Sequence, residues 1–302
     1  MSRVLLFLHG GSYTKECWNP IIRRLQQSPL LQRMSCEIAT FDWRFHGEKS
    51  DHSIAATLSY RDGDETNARV DHPLREWTKW GADDVRHQVQ NLRALNSTMD
   101  IVAIGHSMGA TTMLQVEIET PGTFQGIIAF EPVHKQKNQT DADRAAIVEI
   151  LVSVASSRVS SWNSWADVEE HFKTNKAYRR WDPECMEAFI EQGIRRTSAG
   201  TYVLATTPLQ EAALYSHTQL DLDFARVACP VTIEHAPKSF FFSPRDTNEI
   251  AQRNPDKYTI ADPIPNTTHS LVVEDPGACA DHIVTNLSRL PMFQESHPAH
   301  RL

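Results

Sequence analysis

The stretch that most restricts how this chain can fold is Ile101-Val-Ala-Ile-Gly-His-Ser-Met-Gly-Ala-Thr-Thr-Met113. Four apolar residues run into Gly105-His-Ser107-Met-Gly109, and a helix-like pattern follows at once. A buried strand, a sharp turn and a helix are the parts of a G-x-S-x-G turn, which exposes a serine at the carboxyl end of a sheet. Glycines flank the serine because so tight a turn leaves no room for Cβ atoms beside it. Ser107 is therefore the candidate nucleophile.

A serine hydroxyl is a weak nucleophile until a base takes its proton. Among the 14 histidines, His269 follows the last strand-like run and precedes the final helical pattern, so it comes last in the serine, acid, histidine order. His46, in Asp42-Trp-Arg-Phe-His-Gly47, reads better as part of a loop turn, and His106 flanks the serine within its own turn. Acyl transfer also needs donors for the developing oxyanion, usually two backbone N–H groups. Met108, the residue after the serine, is one; the other is expected in His9-Gly10-Gly11-Ser12, with Gly11 preferred and Ser12 one step behind.

The rest of the chain fits a sheet around that turn. Short apolar runs recur at Val4–Leu8, Ile38–Phe41, Ile101–Ile104, Ile127–Phe130, Val231–Ile233 and Tyr258–Ile260, as expected for strands buried on both faces of a parallel sheet. Helical patterns separate them, at Gly81–Leu95, Gly109–Glu119 and Pro276–Leu290, and the alternation argues for an α/β fold. Two segments break it. Residues 51–77, with the polar run Tyr60–Asn67, read as a long charged loop. Residues 134–225 read as an inserted helical cap, with helices over Asp141–Ser156 and Pro183–Arg195, the second announced by Asp182-Pro183. The predicted organisation is a core of residues 1–133 and 226–302 with that cap between them. Trp162, Trp165, Tyr178 and Trp181 of the cap either line an apolar pocket or form the cap's own small core.

Composition excludes several classes of function. The net charge of −8 and the scattered basic residues lack the clustered footprint of a nucleic-acid binder. No stretch approaches the ~18 apolar residues of a membrane span, and Val4–Leu8 is too short for a secretory signal. Five cysteines without a C-x-x-C suit neither a disulfide framework nor a zinc site, and are expected to be reduced. No metal or organic cofactor is implied.

Taken together, Leu8-His-Gly10, Asp42-x-Arg-x-His-Gly47, Gly105–Gly109, Ile128-Ala-Phe-Glu-Pro132, Cys229-Pro-Val231 and His269 with Glu274-x-Pro276 resemble the α/β-hydrolase-fold enzymes over most of the chain. Trp181–Gly193 and Pro208–Ala212 are similar to fungal peroxisomal hydrolases of specialised-metabolite and toxin pathways, which include acyl-CoA thioesterases and lipase-like enzymes. In many such proteins the acid of the triad follows the strand after the cap, but here that slot holds Ser239. The other known location is the end of the strand after the nucleophile helix, where Glu131 stands; several fungal members use it. Glu234, Asp246 and Asp275 are the rivals.

The resemblance implies hydrolysis of an acyl ester or acyl-CoA thioester by Ser107, His269 and Glu131. Two other readings stay open: a lyase or cyclase using the same Ser/His pair, and a ligand-binding protein on the same scaffold. The terminal His300-Arg-Leu302 resembles a peroxisomal address of the S-K-L kind. The first strand begins within three residues of Met1, so the antiparallel strands usual before it are missing or the chain is shortened; if a sheet edge is exposed as a result, a homodimer or poor solubility is expected.

Overall fold

The computed structural model describes residues 2–60, 68–136, 139–239 and 243–294. All of the polar run Tyr60–Asn67 but Tyr60, and the terminal 300–302, therefore lie outside the described residues. In chain order the elements begin with β1 (Arg3–Leu8), α1 (Asn19–Gln27), α2 (Pro29–Arg33), β2 (Glu37–Thr40), β3 (Thr57–Tyr60) and β4 (Ala68–Asp71). Next come α3 (Trp77–Leu95), β5 (Asp100–His106), α4 (Met108–Glu119), β6 (Gly126–Phe130) and α5 (Asp141–Ser156). These are followed by β7 (Ser161–Trp162), α6 (Trp165–Thr174), α7 (Pro183–Gly193), β8 (Ile194–Arg196), β9 (Tyr202–Leu204) and α8 (Pro208–Tyr215). The chain closes with β10 (Val231–Glu234), α9 (Pro244–Arg253), β11 (Tyr258–Ile260), α10 (Leu271–Glu274) and α11 (Pro276–Arg289).

Among the described residues the main sheet has six strands in the order β11-β10-β6-β5-β1-β2, all parallel. The inner strands β1, β5 and β6 read as nearly unbroken apolar runs because helices cover both faces. The period of two is visible in where the side chains go. Val4, Leu6, Leu8, Ile101 and Ala103 pack with Val85 and Val89 of α3 and Met113 of α4. Leu5, Phe7, Val102 and Ile104 point the other way, to Ile21 and Leu25 of α1 and Ile283 and Leu287 of α11. Each fully buried Leu or Ile contributes about 1.5–3 kcal/mol, so a one-residue slip of β1 would reverse the partners of every side chain in it.

The strand order fixes where a site can form. The chain moves outward from β1 to β2, then returns to lay β5 on the other side of β1 and continues away through β6, β10 and β11. The direction reverses between β1 and β5, and their carboxyl ends bound the crevice where open α/β sheets hold ligands.

Three expectations need correction. Residues 51–77 are not one loop: β3 and β4 pair antiparallel, Leu58 opposite Val70, and a 3-10 turn spans Pro73–Glu76. The segment 134–225 is not purely helical, since β7, β9 and β8 form a small antiparallel sheet. The helix read as Pro183–Arg195 ends at Gly193, and Ile194 starts a strand. No helix among the described residues is long and apolar enough to cross a membrane.

Candidate active site

Ser107 stands between β5 and α4 with φ 51° and ψ −117°, a left-handed conformation that costs an L-residue of order 1–3 kcal/mol and persists only where the surroundings impose it. Two glycines make it possible. A Cβ on Gly105 would lie 2.8 Å from the Ala110 backbone nitrogen, and one on Gly109 would lie 2.3 Å from the Leu8 carbonyl oxygen. The first turn of α4 is thus pressed against the end of β1.

His269 reaches Ser107 from the loop before α10. Its Nε2 is 3.0 Å from Ser107 Oγ, and its Nδ1 is 3.0 Å from Glu131 Oε2. With the Nδ1–H donating to the carboxylate, Nε2 is left as the acceptor for the serine proton, the tautomer a general base needs. Glu131 follows β6 directly, is fully buried, and has φ 49°. Its Oε1 accepts the Ala236 N–H at 2.8 Å, and Ser239 Oγ donates to Oε2. Ser239, in the slot where an acid is common, is a donor to the carboxylate that stands elsewhere.

The rival acids are engaged differently. Glu234 accepts from His282 Nδ1 and Asn286 Nδ2, both at 2.6 Å, on α11. Asp275 accepts the Ala278 N–H as the N-cap of α11, and Asp246 lies in the first turn of α9. The rival histidines are also occupied. His106 donates from Nε2 to the His269 carbonyl at 2.7 Å and stacks on Tyr13; burial, reinforced by the neighbouring His269, pushes its pKa well below the usual histidine value. His46 donates from Nδ1 to the Arg44 carbonyl and accepts the Ser12 N–H on Nε2 at 3.0 Å. Burial, helped by nearby His9, pushes it down to about 3.

That last bond separates the two candidates for the second oxyanion donor. Ser12 is held at φ 63° with its N–H committed to His46. The Gly11 N–H and the Met108 N–H, the latter at the first position of α4, donate to no group among the described residues. Both residues line the cavity that contains Ser107 and His269.

Below this loop, Asp42 accepts the N–H groups of Lys15 and Glu48 at 2.8 and 2.9 Å and faces His9 Nε2 at 3.5 Å. Burial alone would raise its pKa; the His9 contact and the two N–H bonds outweigh that and hold it below the usual carboxylate range. The His9–Ser12 loop thus rests on a polar network that sequence patterns did not reveal.

The cavity has a volume of about 450 Å³. Its walls come from α5, through Ile147, Val148 and Leu151, and from the end of α8 and the stretch around Tyr178 and Trp181. The four aromatic residues of the inserted segment divide. Tyr178 and Trp181 line the cavity, while Trp162 packs on Phe172 and Trp165 on Tyr202 in the segment's own interior. Arg158 and Glu211 also line it, and periodicity offered no signal for either.

The sequence model of the alpha/beta hydrolase family matches residues 5–282. Among solved structures, the chain is similar to the peroxisomal α/β-hydrolase Lpx1 from Saccharomyces cerevisiae, with TM-score 0.74 and 18% identity, over 100% of this chain and 81% of that one. It is also similar to an esterase of M. tuberculosis, with TM-score 0.63 and 16% identity, over 94% of this chain and 84% of the other. The thioesterase domain from the curacin biosynthetic pathway gives TM-score 0.62 at 13% identity, over 94% and 91% of the two chains. At these identities the likeness is one of fold. No curated protein matches the chain by sequence.

Proposed function

The chain belongs to the α/β-hydrolase family, and on that premise we propose that it is a serine hydrolase of an acyl ester or acyl thioester, with Ser107 as nucleophile. The observation that carries the reading is the hydrogen-bonded line Ser107 Oγ, His269 Nε2, His269 Nδ1, Glu131 Oε2, with both links at 3.0 Å. Ser107 Oγ attacks the acyl carbonyl carbon while its proton passes to His269 Nε2. Glu131 stabilises the imidazolium and keeps the ring aligned. The tetrahedral oxyanion accepts from the Met108 and Gly11 N–H groups, each such donor being worth about 10²–10³ in rate. Collapse breaks the bond to the alcohol or thiol, which leaves with the proton from His269, and water then releases the acid from Ser107 by the same steps.

Residues 134–225 act as a cap over this centre in the proposal, since α5 and α8 supply much of the cavity wall. A peroxisomal location belongs to the same reading and is supported by the fold likeness to peroxisomal Lpx1; its test is import that fails when residues 300–302 are removed. The test of the chemistry is a screen of acyl-CoA and simple acyl esters with wild type and Ser107→Ala, alongside labelling by a fluorophosphonate. Hydrolysis and labelling in the wild type alone support it; equal activity in both proteins sinks it.

A further inference from the structure

The cavity that reaches Ser107 is walled largely by aliphatic and aromatic side chains, yet it contains an ion pair. Arg158, just past the end of α5, contacts the Glu211 carboxylate of α8 through Nη1 and donates from Nη2 to the Tyr178 hydroxyl at 2.7 Å. The Tyr215 hydroxyl donates to the other Glu211 oxygen at 3.2 Å. The Arg158 and Glu211 side chains are 23% and 9% exposed. Apolar residues of similar volume stabilise such a position at least as well as a buried pair does. Stability therefore does not account for this pair in a cavity wall.

Charge and hydrogen-bond capacity indicate what this wall would accept. Arg158 and Glu211 are the only acidic or basic residues, histidines aside, that line the cavity among the described residues, and they cancel. Burial pushes His217 down to about 4 and also lowers His171, so neither adds charge near neutral pH. A carboxylate or phosphate would bring an uncompensated negative charge beside Glu211, a costly arrangement out of water. The guanidinium carries five N–H donors, and Glu211 and Tyr178 engage two. The Tyr178 hydroxyl accepts from Arg158 and keeps its own proton without an acceptor among the described residues. Gln219 Oε1, also in the cavity lining, is a buried acceptor without a partner. The wall offers spare donors and an acceptor with no net charge.

We propose that Arg158, Glu211 and Tyr178 form a specificity site for a neutral oxygen group, a hydroxyl or a ketone, carried on the substrate chain away from the scissile carbonyl. The proposal deepens the hydrolase reading and rests on it for the identity of the cavity's occupant. Its test reads binding, so that the two can fail separately.

Ser107→Ala protein would be titrated calorimetrically with octanamide and with a positional series of hydroxy- and oxo-octanamides. At least one oxygenated chain is expected to bind about tenfold tighter than octanamide or better. Arg158→Met with Glu211→Leu replaces the pair by apolar groups that leave no buried charge, and is expected to fold and to lose the preference. Glu211→Gln leaves the guanidinium uncompensated and is expected to favour a chain bearing a terminal carboxylate by about tenfold. Octanamide binding as tightly as every oxygenated analogue, no binding by any of the series, or an unchanged preference in either variant overturns the proposal. Fluorophosphonate labelling of the wild type reports the hydrolase reading independently.

Discussion

The Ser239 hydroxyl donates to the Glu131 carboxylate from the position after β10, on the same oxygen that receives His269 Nδ1–H. A residue in the slot where related proteins carry an acid here donates to the carboxylate just past β6 that the proposal makes the acid. Glu131→Gln is therefore expected to lower kcat by about 10²–10⁴, because an amide does not hold the imidazolium. Glu131→Ala combined with Ser239→Asp is expected to recover at least about tenfold over Glu131→Ala alone. Steady-state kinetics on one ester decide it; no loss in Glu131→Gln would show that the acid lies elsewhere.

Glu234→Gln provides the contrast. Its carboxylate is buried and bound to His282 and Asn286, so removing the charge should lower stability by about 1–3 kcal/mol and leave kcat within about twofold. The contact with Glu234, opposed by burial, raises the His282 pKa. That contribution is present below the unfolded histidine value and is lost as pH rises through the folded one. Denaturant melts at pH 6 and pH 9 should show a larger difference between variant and wild type at the lower pH.

Gly109→Ala tests the contact between α4 and the end of β1. The added methyl would sit 2.3 Å from the Leu8 carbonyl oxygen, and backbone on both sides leaves no side chain to yield. A loss of about 3 kcal/mol is expected, together with lower activity at temperatures where the variant is folded. A thermal melt indistinguishable from wild type would contradict the packing described.

His46 holds the loop of the proposed oxyanion donor Gly11 through Ser12. His46→Phe removes the acceptor for the Ser12 N–H, and kcat is expected to fall about tenfold with little change in KM, a fraction of what losing an oxyanion donor outright costs. An equal rise in KM with kcat unchanged would instead assign the loop to substrate binding.

Acid should destabilise the fold through its buried histidines. His46 and His217 are held by burial at about 3 and about 4, against 6.5 for a free histidine. Below 6.5 the unfolded chain takes up protons that these two histidines refuse in the folded chain, so their contribution to stability is complete above that pH and declines as pH falls through the folded values. The expected result is a Tm that drops steadily from pH 7 to pH 4, with a shallower slope in His217→Gln.

Much of the sheet and its turn is legible in sequence because the requirements are local. Val4–Leu8 and Ile101–Ile104 can be little else than doubly buried strands, and Gly105 and Gly109 mark the turn by what they lack. Glu131 becomes a candidate only through the resemblance, which marks the end of the strand after the Ser107 helix as a place for an acid; a buried carboxylate leaves no sequence pattern of its own. The strands β7, β8 and β9 run for two or three residues, too short for alternation to register. In the pair β3 and β4, Leu58 is largely exposed, so the apolar face that announces a strand is weak. Arg158 and Glu211 meet across 53 residues, and no spacing rule reaches that far.

The proposed chemistry is encoded at Ser107, Glu131 and His269, whereas Arg158, Tyr178 and Glu211 fall within one uninterrupted stretch between β6 and β10. On the two proposals, bond breaking and chain selection are written on separate lengths of gene. Exchanging that stretch with one from a related protein would alter the diet of the enzyme in a single recombination, and the machinery that opens the ester would be inherited untouched.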